Sequence, residues 1–512
     1  MKKIFPLLMT VVVIASLLAG CTTSTPTVTT DENPQASAPI KDTLTYMAVV
    51  NAESLNPASG KPGDHTAYRA IYDTLVNLDD NGNIRPGLAE TWTKSDDGLT
   101  YTLNLRKDVK FHDGSQMTAD DVIFTFDTIM ALPLFGQFTL ALAKWEKADD
   151  YTVKFTATQP YVSLLKTLAL ISMIMPKATY TADPAGFESK PIGTGPFKFV
   201  SRDADGTIHA EANDNYFGGK PAFAKAVIKP PVESSTAVVA LENGEVDIIV
   251  AVPPAQIELI KKNAGLNLVE TAAWTTNTLI MMGQRLRDDS NLRAAIFHGI
   301  DRQKMIDIAS EGVGSVTNDV YNKKTLGSLA GKVNYTGYDE ALAKEYLAES
   351  GYQLGSVIMM TVMTQDSAMA QSIQADLKKL GIEVEIEQLD VNGWSTKILN
   401  GEAEMTLVQF GGVGGGLENM LISFSNAYPY LGKDMYSTPE YEDLIVKIQA
   451  EPDPEKRQEL MGQAIQLQYD FANTVSLFDV VNNFAHSKSI TNIPAISAAT
   501  QIFYLGNFEP AQ

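Results

Sequence analysis

The sequence predicts a mixed α/β protein whose mature body folds as two or three lobes. Three observations carry this expectation. The chain has 512 residues, 45% of them apolar, too many for one ordinary hydrophobic core. Apolar residues recur at alternate positions in some stretches and at every third or fourth position in others, so strands and helices are both present. Between about 339 and 389 the two kinds follow one another as helix, strand, helix, strand, the order that builds a parallel sheet.

The first element is a leader. Lys2 and Lys3 precede an apolar run from Ile4 to Leu18 that ends in Leu18-Ala19-Gly20-Cys21. The basic end stays cytoplasmic, the run is too short and wrongly flanked for a stable anchor, and the small residues admit a peptidase. Leucine, two small residues and a cysteine resemble the lipobox of bacterial lipoproteins, and Cys21 is the only cysteine in the chain. Lipidation at Cys21 is therefore expected, with residues 1–20 removed as a signal peptide. An incidental buried cysteine is the competing reading. Residues 21–41 are rich in Thr, Ser and Pro and cannot repay the entropy of ordering. They read as a tether reaching roughly 25 Å from a membrane.

The body begins with short strands. Leu99 to Leu105 and Tyr151 to Phe155 alternate, and Asp96-Asp97-Gly98 supplies a turn before the first. Thr118 and Asp121 form a capping box for a helix starting at 119, with Val122, Ile123, Phe126 and Ile129 buried. A further helix is expected at about 339 to 350, with Leu342, Tyr346 and Leu347 inward and Gly351 at its end. The apolar run Val357 to Val362 follows. Met369, Ile373, Leu377 and Leu380 share a helical face that Gly381 terminates, and Ile382, Val384 and Ile386 alternate with glutamates as a strand. After the apolar stretch Met405 to Phe410 come five glycines in the six residues 411–416. This predicts a loop at a strand end where backbone groups can approach a ligand closely. A flexible loop without ligand contact is the alternative.

Charge and motifs exclude several functions. The chain carries 40 basic and 61 acidic residues, and loss of Lys2 and Lys3 leaves 38 against 61, a net charge of −23. An acidic body with no basic stripe excludes nucleic acid as a partner. Most carboxylates read as solvated surface, with a preference for cationic solutes as the sharper alternative. No two of the five histidines stand at metal-ligand spacing, so no metal site is expected. No hydrolase elbow occurs, the glycine run lacks the lysine and hydroxyl of a P-loop, and Leu417 stands where a dinucleotide fingerprint needs its third glycine. No catalytic residues and no cofactor are expected.

Several stretches resemble the peptide and nickel type of extracellular solute-binding proteins, family 5. They include Leu88-Ala89-Glu90-Thr91-Trp92, Ser95-Asp96-Asp97-Gly98-Leu99-Thr100-Tyr101, Val109-Lys110-Phe111-His112-Asp113-Gly114, Gly193-Thr194-Gly195-Pro196-Phe197, Asn215-Tyr216-Phe217-Gly218-Gly219-Lys220-Pro221, Leu241-Glu242-Asn243-Gly244-Glu245-Val246-Asp247, Leu292-Arg293-Ala294-Ala295 and Ser350-Gly351-Tyr352. The resemblance implies a bilobal periplasmic-binding-protein-like clamshell of type II. Lobe 1 is then discontinuous (42–70, 185–275 and 482–512), a subdomain is inserted at 71–184, and lobe 2 spans 276–481. His112-Asp113-Gly114 reads as a structural turn.

The resemblance places ligand between the lobes. The candidate contacts are Asn51, Glu53 and Ser54 after the first strand, Trp274, Thr276 and Asn277 at one hinge, and Asp479 and Asn482 at the other. Gln409, Phe410, Gly411 and Gly412 join them at the glycine loop. Peptide binders of this family usually carry an aspartate in that loop for the α-amino group. Here Gly416 holds the place and Glu418 is the nearest substitute, which points to a divergent ligand. Met281 or Met282, where relatives often have asparagine after the first hinge, points the same way. Trp394 is read as either core or cleft wall, and Arg285 and Arg287 as surface residues or a carboxylate clamp. The implied function is an extracytoplasmic lipoprotein, a monomer on the cell membrane in the periplasm or at the cell surface. It delivers a peptide or similar solute to an ABC permease with a cytoplasmic ATPase. Nickel chelates, haem, opines and oligosaccharides are alternative ligands, and a signalling or adhesion receptor or a surface hydrolase are alternative functions.

Overall fold

The computed structural model of the chain describes residues 41–59, 64–79, 82–132, 142–316, 336–411, 416–422, 424–425, 437–494 and 502–511. The leader, Cys21, the tether as far as residue 40 and Gly412 lie outside them.

An eleven-stranded mixed sheet runs through the body. In its first half Thr43–Met47 pairs in parallel with Lys225–Lys229 and with Ile248–Val250. Two antiparallel strands, Ile208–Ala212 and Phe197–Arg202, extend that half to its edge. In the second half Val357–Met363 lies parallel to both Glu383–Leu389 and Met405–Gly411. Among the described residues two strands carry the sheet from one half to the other: the 16-residue Leu266–Met281 and the 14-residue Thr474–Ser487, paired antiparallel.

Each half has its own core. Leu44, Tyr46, Phe197, Phe223, Ile228 and Phe503 pack in the first. Leu279, Met281, Ile358, Met360, Ile373 and Met405 pack in the second. A smaller antiparallel sheet of four strands, Ala89–Lys94, Thr100–Leu105, Thr152–Ala157 and Leu142–Asp149, stands apart. Leu103, Phe155, Val122 and Phe126 form its core, which continues into Leu421, Tyr441, Ile445 and Ile465 of the later helices.

The local patterns act through ordinary physics. The helix Ala119–Ile129 has the capping box, with the Thr118 backbone N–H donating to Asp121 at 2.9 Å. The helix Ser367–Lys379 ends before Gly381, which takes a φ of +85° that other residues adopt only with strain. One boundary differs from the sequence pattern. The helix Glu340–Glu349 closes at Ser350 in an extended conformation, and Gly351 donates its N–H to Asp289 at 2.7 Å, so an acceptor side chain ends the helix. Ala343 is that helix's buried residue, with Leu342, Tyr346 and Leu347 only half-buried, and the helix packs against the neighbouring helix Ser290–Gly299.

Candidate functional site

The two crossing strands lose register twice, in a short slip between Asn277 and Thr278 and in a longer one just before it. Their register slips between the Ala272–Val481 pair and the Thr276–Asp479 pair. Thr276 is fully buried, and its hydroxyl donates to the Asp479 carboxylate at 3.0 Å. Beside the break, the Asn483 side chain accepts from the Val252 N–H at 2.6 Å and donates to the Val252 carbonyl at 2.9 Å. Asn277 is 7% exposed and pairs in register with Gln409, an exposed residue of the neighbouring strand. Asn482 is half-buried opposite Thr271. Trp274 and Phe410 take part in these strands through their backbones.

Parallel strands from both halves end at this break. In the second half the carboxyl ends are Met363, Leu389 and Gly411, and Gly411 pairs with Thr275. In the first half Val250 ends opposite Phe484, and Met47 leads into the loop of Asn51 and Glu53. Carboxyl ends of parallel strands are where α/β sheets leave a crevice for ligands, because the connecting loops diverge there. Asn51, Glu53, Gln409 and Gly411 belong to these strand ends or the loops after them, Thr276, Asn277, Asp479 and Asn482 lie inside the two crossing strands beside the break, and the Gly416–Ile422 helix comes after Gly411 in the chain.

The structure assigns other duties to several candidates. Glu418 is 7% exposed, and its carboxylate meets Arg457 at 3.3 Å and Lys166 at 3.7 Å. It is thus neutralised by two cations and does not stand in for an amine-binding aspartate. Met281 is 1% exposed. It shares a strand face with Leu279, so the alternation of the strand sends it into the core, away from any ligand. Ser54 is buried and accepts the Asn56 N–H at 2.9 Å, shaping the loop from within. Trp394 packs on the core and donates its indole N–H to Thr406 at 2.8 Å, anchoring its helix to the sheet. Arg285 bonds both oxygens of Glu404, at 2.7 and 3.0 Å. It is a buttress between the Gln284–Asp288 helix and the sheet.

Sequence reasoning passed over Asp366. It follows the carboxyl end of Val357–Met363 and caps the next helix by position, yet its side chain bonds none of that helix's amides. Burial alone raises its carboxyl to about 6. In the sequence it is one more aspartate before a helix, and no local signal separates it from the others.

A cavity of about 460 Å³ lies elsewhere, lined by Arg69, Asp73, Asn77, Tyr216 and Tyr504. Its charged groups are already engaged. Arg69 donates to Thr74 at 2.6 Å and lies over the Tyr504 ring, while Asp73 accepts from Tyr216 at 2.8 Å and Thr194 at 3.0 Å. This network seals the seam between first half and small sheet. His112 belongs to the same seam: its N–H donates to the Gly193 carbonyl at 2.9 Å, and burial lowers its imidazole to about 4. Among the described residues no cluster of His, Cys, Asp and Glu is arranged to hold a metal, and no helix is long and apolar enough to cross a membrane.

Comparison with known proteins adds three findings. A family model described as bacterial extracellular solute-binding proteins, family 5 Middle, matches residues 83–430. The dipeptide-binding protein of Escherichia coli (strain K12) is 29% identical over 478 residues, covering 84% of this chain and 88% of its own. Two solved structures superpose with TM-scores of 0.81 at 25% identity, each covering 92% of this chain and 99% of its own. One is the ABC transporter-associated periplasmic binding protein DppA from Helicobacter pylori with the peptide STSA, the other the binding protein AgaA from A. tumefaciens R10 with agropinic acid.

Proposed function

The chain belongs to family 5 of the bacterial extracellular solute-binding proteins, and on that footing we propose that it captures a peptide between its two lobes and hands it to an ABC permease. The fold is the type II clamshell of that family, and the chain is a binding protein rather than an enzyme. Lobe 1 comprises 42–70, 185–275 and 482–512, lobe 2 comprises 276–481, and 71–184 form the inserted subdomain. The break between Ala272 and Thr276 and its partner at Asp479 to Val481 serve as the hinge. Cys21 carries the lipid, and the residues after it tether the body outside the membrane.

One observation carries this reading. Among the described residues the halves of the sheet communicate through one pair of strands, and carboxyl ends from both sides converge where that pair loses register. Two strands crossing at a slip can bend without unpacking either core. Solute touching both faces then favours the closed form, and only contacts absent from the open form contribute. Moving a hundredfold excess of open molecules to a hundredfold excess of closed ones takes about 5.5 kcal/mol of differential binding. The closed shape is what a permease recognises.

A non-peptide solute is the second reading. It is favoured by Gly416, the first residue of the Gly416–Ile422 helix, where relatives would carry an aspartate, and by the engagement of Glu418 with Arg457 and Lys166. Both readings meet the same experiment. Protein purified from its native host is denatured and the released small molecules are identified by mass spectrometry. The identified compound is then added back during small-angle scattering. Peptides in the released pool and a smaller radius of gyration on rebinding are expected. A pool of opines or sugars would replace the peptide reading, and an unchanged radius with saturating ligand would sink the clamshell mechanism.

A further inference from the structure

The seam cavity of about 460 Å³ lies at the far end of the sheet from the crevice. Pro196 on its wall precedes the strand Phe197–Arg202, and Tyr216 follows Ile208–Ala212, which pairs antiparallel to that strand. Ile208–Ala212 is in turn antiparallel to Lys225–Lys229, and Lys225–Lys229 is parallel to Thr43–Met47. Phe197–Arg202 and Thr43–Met47 therefore run the same way, and the cavity sits at their amino end. Arg69 reaches its wall from the His65–Ile71 helix, Asn77 and Leu78 from the strand Val76–Leu78, and Pro494 and Tyr504 from the end of the chain.

The hydrogen bonds of the seam leave donors over on this wall. Arg69 is 7% exposed. Its Nη1 donates to the Thr74 hydroxyl at 2.6 Å and to the Asn77 side-chain oxygen at 3.3 Å, and its Nη2 donates to the Ala169 carbonyl. All of these acceptors are neutral, and the Nε–H takes no part. The Asn77 oxygen also accepts from the Thr74 hydroxyl at 3.1 Å, which leaves the N–H donors of the same amide over. The Tyr504 hydroxyl is carried on the ring that faces Arg69 at 5.4 Å. Arg69 Nε, Asn77 Nδ2 and Tyr504 Oη are thus three donors on one cavity wall, each without a partner among the described residues. Both carboxylates on the wall are satisfied: Asp73 by Tyr216 and Thr194, Asp79 by the Asn83 N–H at 2.8 Å and by Arg85.

A nearly buried cation whose contacts are all neutral is uncommon, because buried charges are ordinarily paired. A guanidinium beside further N–H and O–H donors matches an oxyanion, above all a planar carboxylate. The remaining wall is apolar, with Tyr72, Leu78, Pro196 and Pro494, and the volume is that of a small-molecule pocket. We propose that the seam cavity is a second binding site, for a small carboxylate with an aromatic or apolar body. Its carboxylate meets Arg69, Asn77 and Tyr504, and its body lies against Tyr72, Leu78 and Pro196. Arg69 belongs to the proposed first lobe and Asn77 to the proposed inserted subdomain, so the occupant ties these two together without entering the crevice. The site stands whichever solute the crevice takes.

The test is calorimetric titration of the full chain, as wild type, Asn77→Asp and Tyr504→Phe, with sodium benzoate, its uncharged analogue benzamide and inorganic phosphate. Wild type should bind benzoate roughly tenfold more tightly than benzamide, the worth of a hydrogen bond to a charged group. Asn77→Asp keeps an acceptor for Arg69 and Thr74 but sets a carboxylate oxygen where the N–H donors were, and should abolish that preference. Tyr504→Phe keeps the ring and should weaken benzoate about fivefold. Benzoate that fails to bind wild type, binds no better than benzamide, or keeps its preference in Asn77→Asp overturns the assignment, and the cavity then holds water alone. Phosphate binding without benzoate binding overturns it as well, since the apolar walls would have no role. If Asn77→Asp does not fold, Tyr504→Phe decides: weaker benzoate binding upholds the site, and unchanged binding refutes it.

Discussion

Asp73 lies at the seam between the first half of the sheet and the small antiparallel sheet, where Tyr216 and Thr194 donate to its two oxygens. Burial outweighs these bonds and raises its carboxyl to about 6, whereas in the unfolded chain it titrates near 4. Between those values the folded protein holds a proton that the unfolded chain has released. This contribution to stability is therefore present in full below about pH 4 and is lost as pH rises through 6, to a limit of roughly 3 kcal/mol. Asp73→Asn removes the titration. Melting curves of wild type and variant between pH 4 and 7 should show the difference shifting in the variant's favour as pH rises. Curves that stay parallel would mean that Asp73 does not titrate in this window. Asp366 is the contrasting case: burial raises its carboxyl to about 6 without any hydrogen bond from a helix amide to offset it.

Among the elements, glycines show where backbone contact matters. A Cβ on Gly193 would stand 2.0 Å from the carbonyl oxygen of Ile71, and one on Gly195 would stand 2.5 Å from the Ile71 carbonyl carbon. The Gly193-Thr194-Gly195 segment thus lies directly against the end of the His65–Ile71 helix, and Thr194 reaches Asp73 from that position. Gly381 is required for a different reason: its positive φ is the problem, and a Cβ there meets only Leu354 at 3.3 Å. Gly381→Ala should cost about 1 kcal/mol through backbone strain. Gly193→Ala should cost more, about 3 kcal/mol, because backbone rather than a side-chain tip must move. Chemical denaturation of the two variants measures both. Equal losses would show that the seam has slack.

For the molecule as a whole, the Leu164–Ile171 helix belongs to the proposed inserted subdomain and the Gly416–Ile422 helix to the proposed second lobe. The Lys166–Glu418 contact at 3.7 Å joins them. If the lobes close on solute as proposed, this pair, in which Glu418 is buried and Lys166 half-buried, strengthens the closed form by on the order of 1 kcal/mol. Lys166→Met should then weaken binding of the released solute about fivefold while leaving the ligand-free melting temperature within a degree or two of wild type. Unchanged affinity would show that the contact forms irrespective of closure.

What the sequence determined on its own was local. Period, caps and turns foretold the strands near 99–105, 151–155, 357–362 and 382–387, and the helices from 119 and near 367–380, because alternation and capping depend on residues a few positions apart. The runs shared with family 5 supplied the fold class, since they describe a scaffold of turns such as His112-Asp113-Gly114 and Gly193-Thr194-Gly195. Tertiary structure decided which polar groups are already satisfied. Glu418 is claimed by Arg457 and Lys166 from distant helices, Met281 is turned inward by strand alternation beneath a sheet covered on both faces, and Asp366 is left alone by a 3-10 turn. Hydrogen bonding and desolvation depend on neighbours far apart in the chain, so whether a carboxylate is free for a ligand becomes readable only when those neighbours are in place.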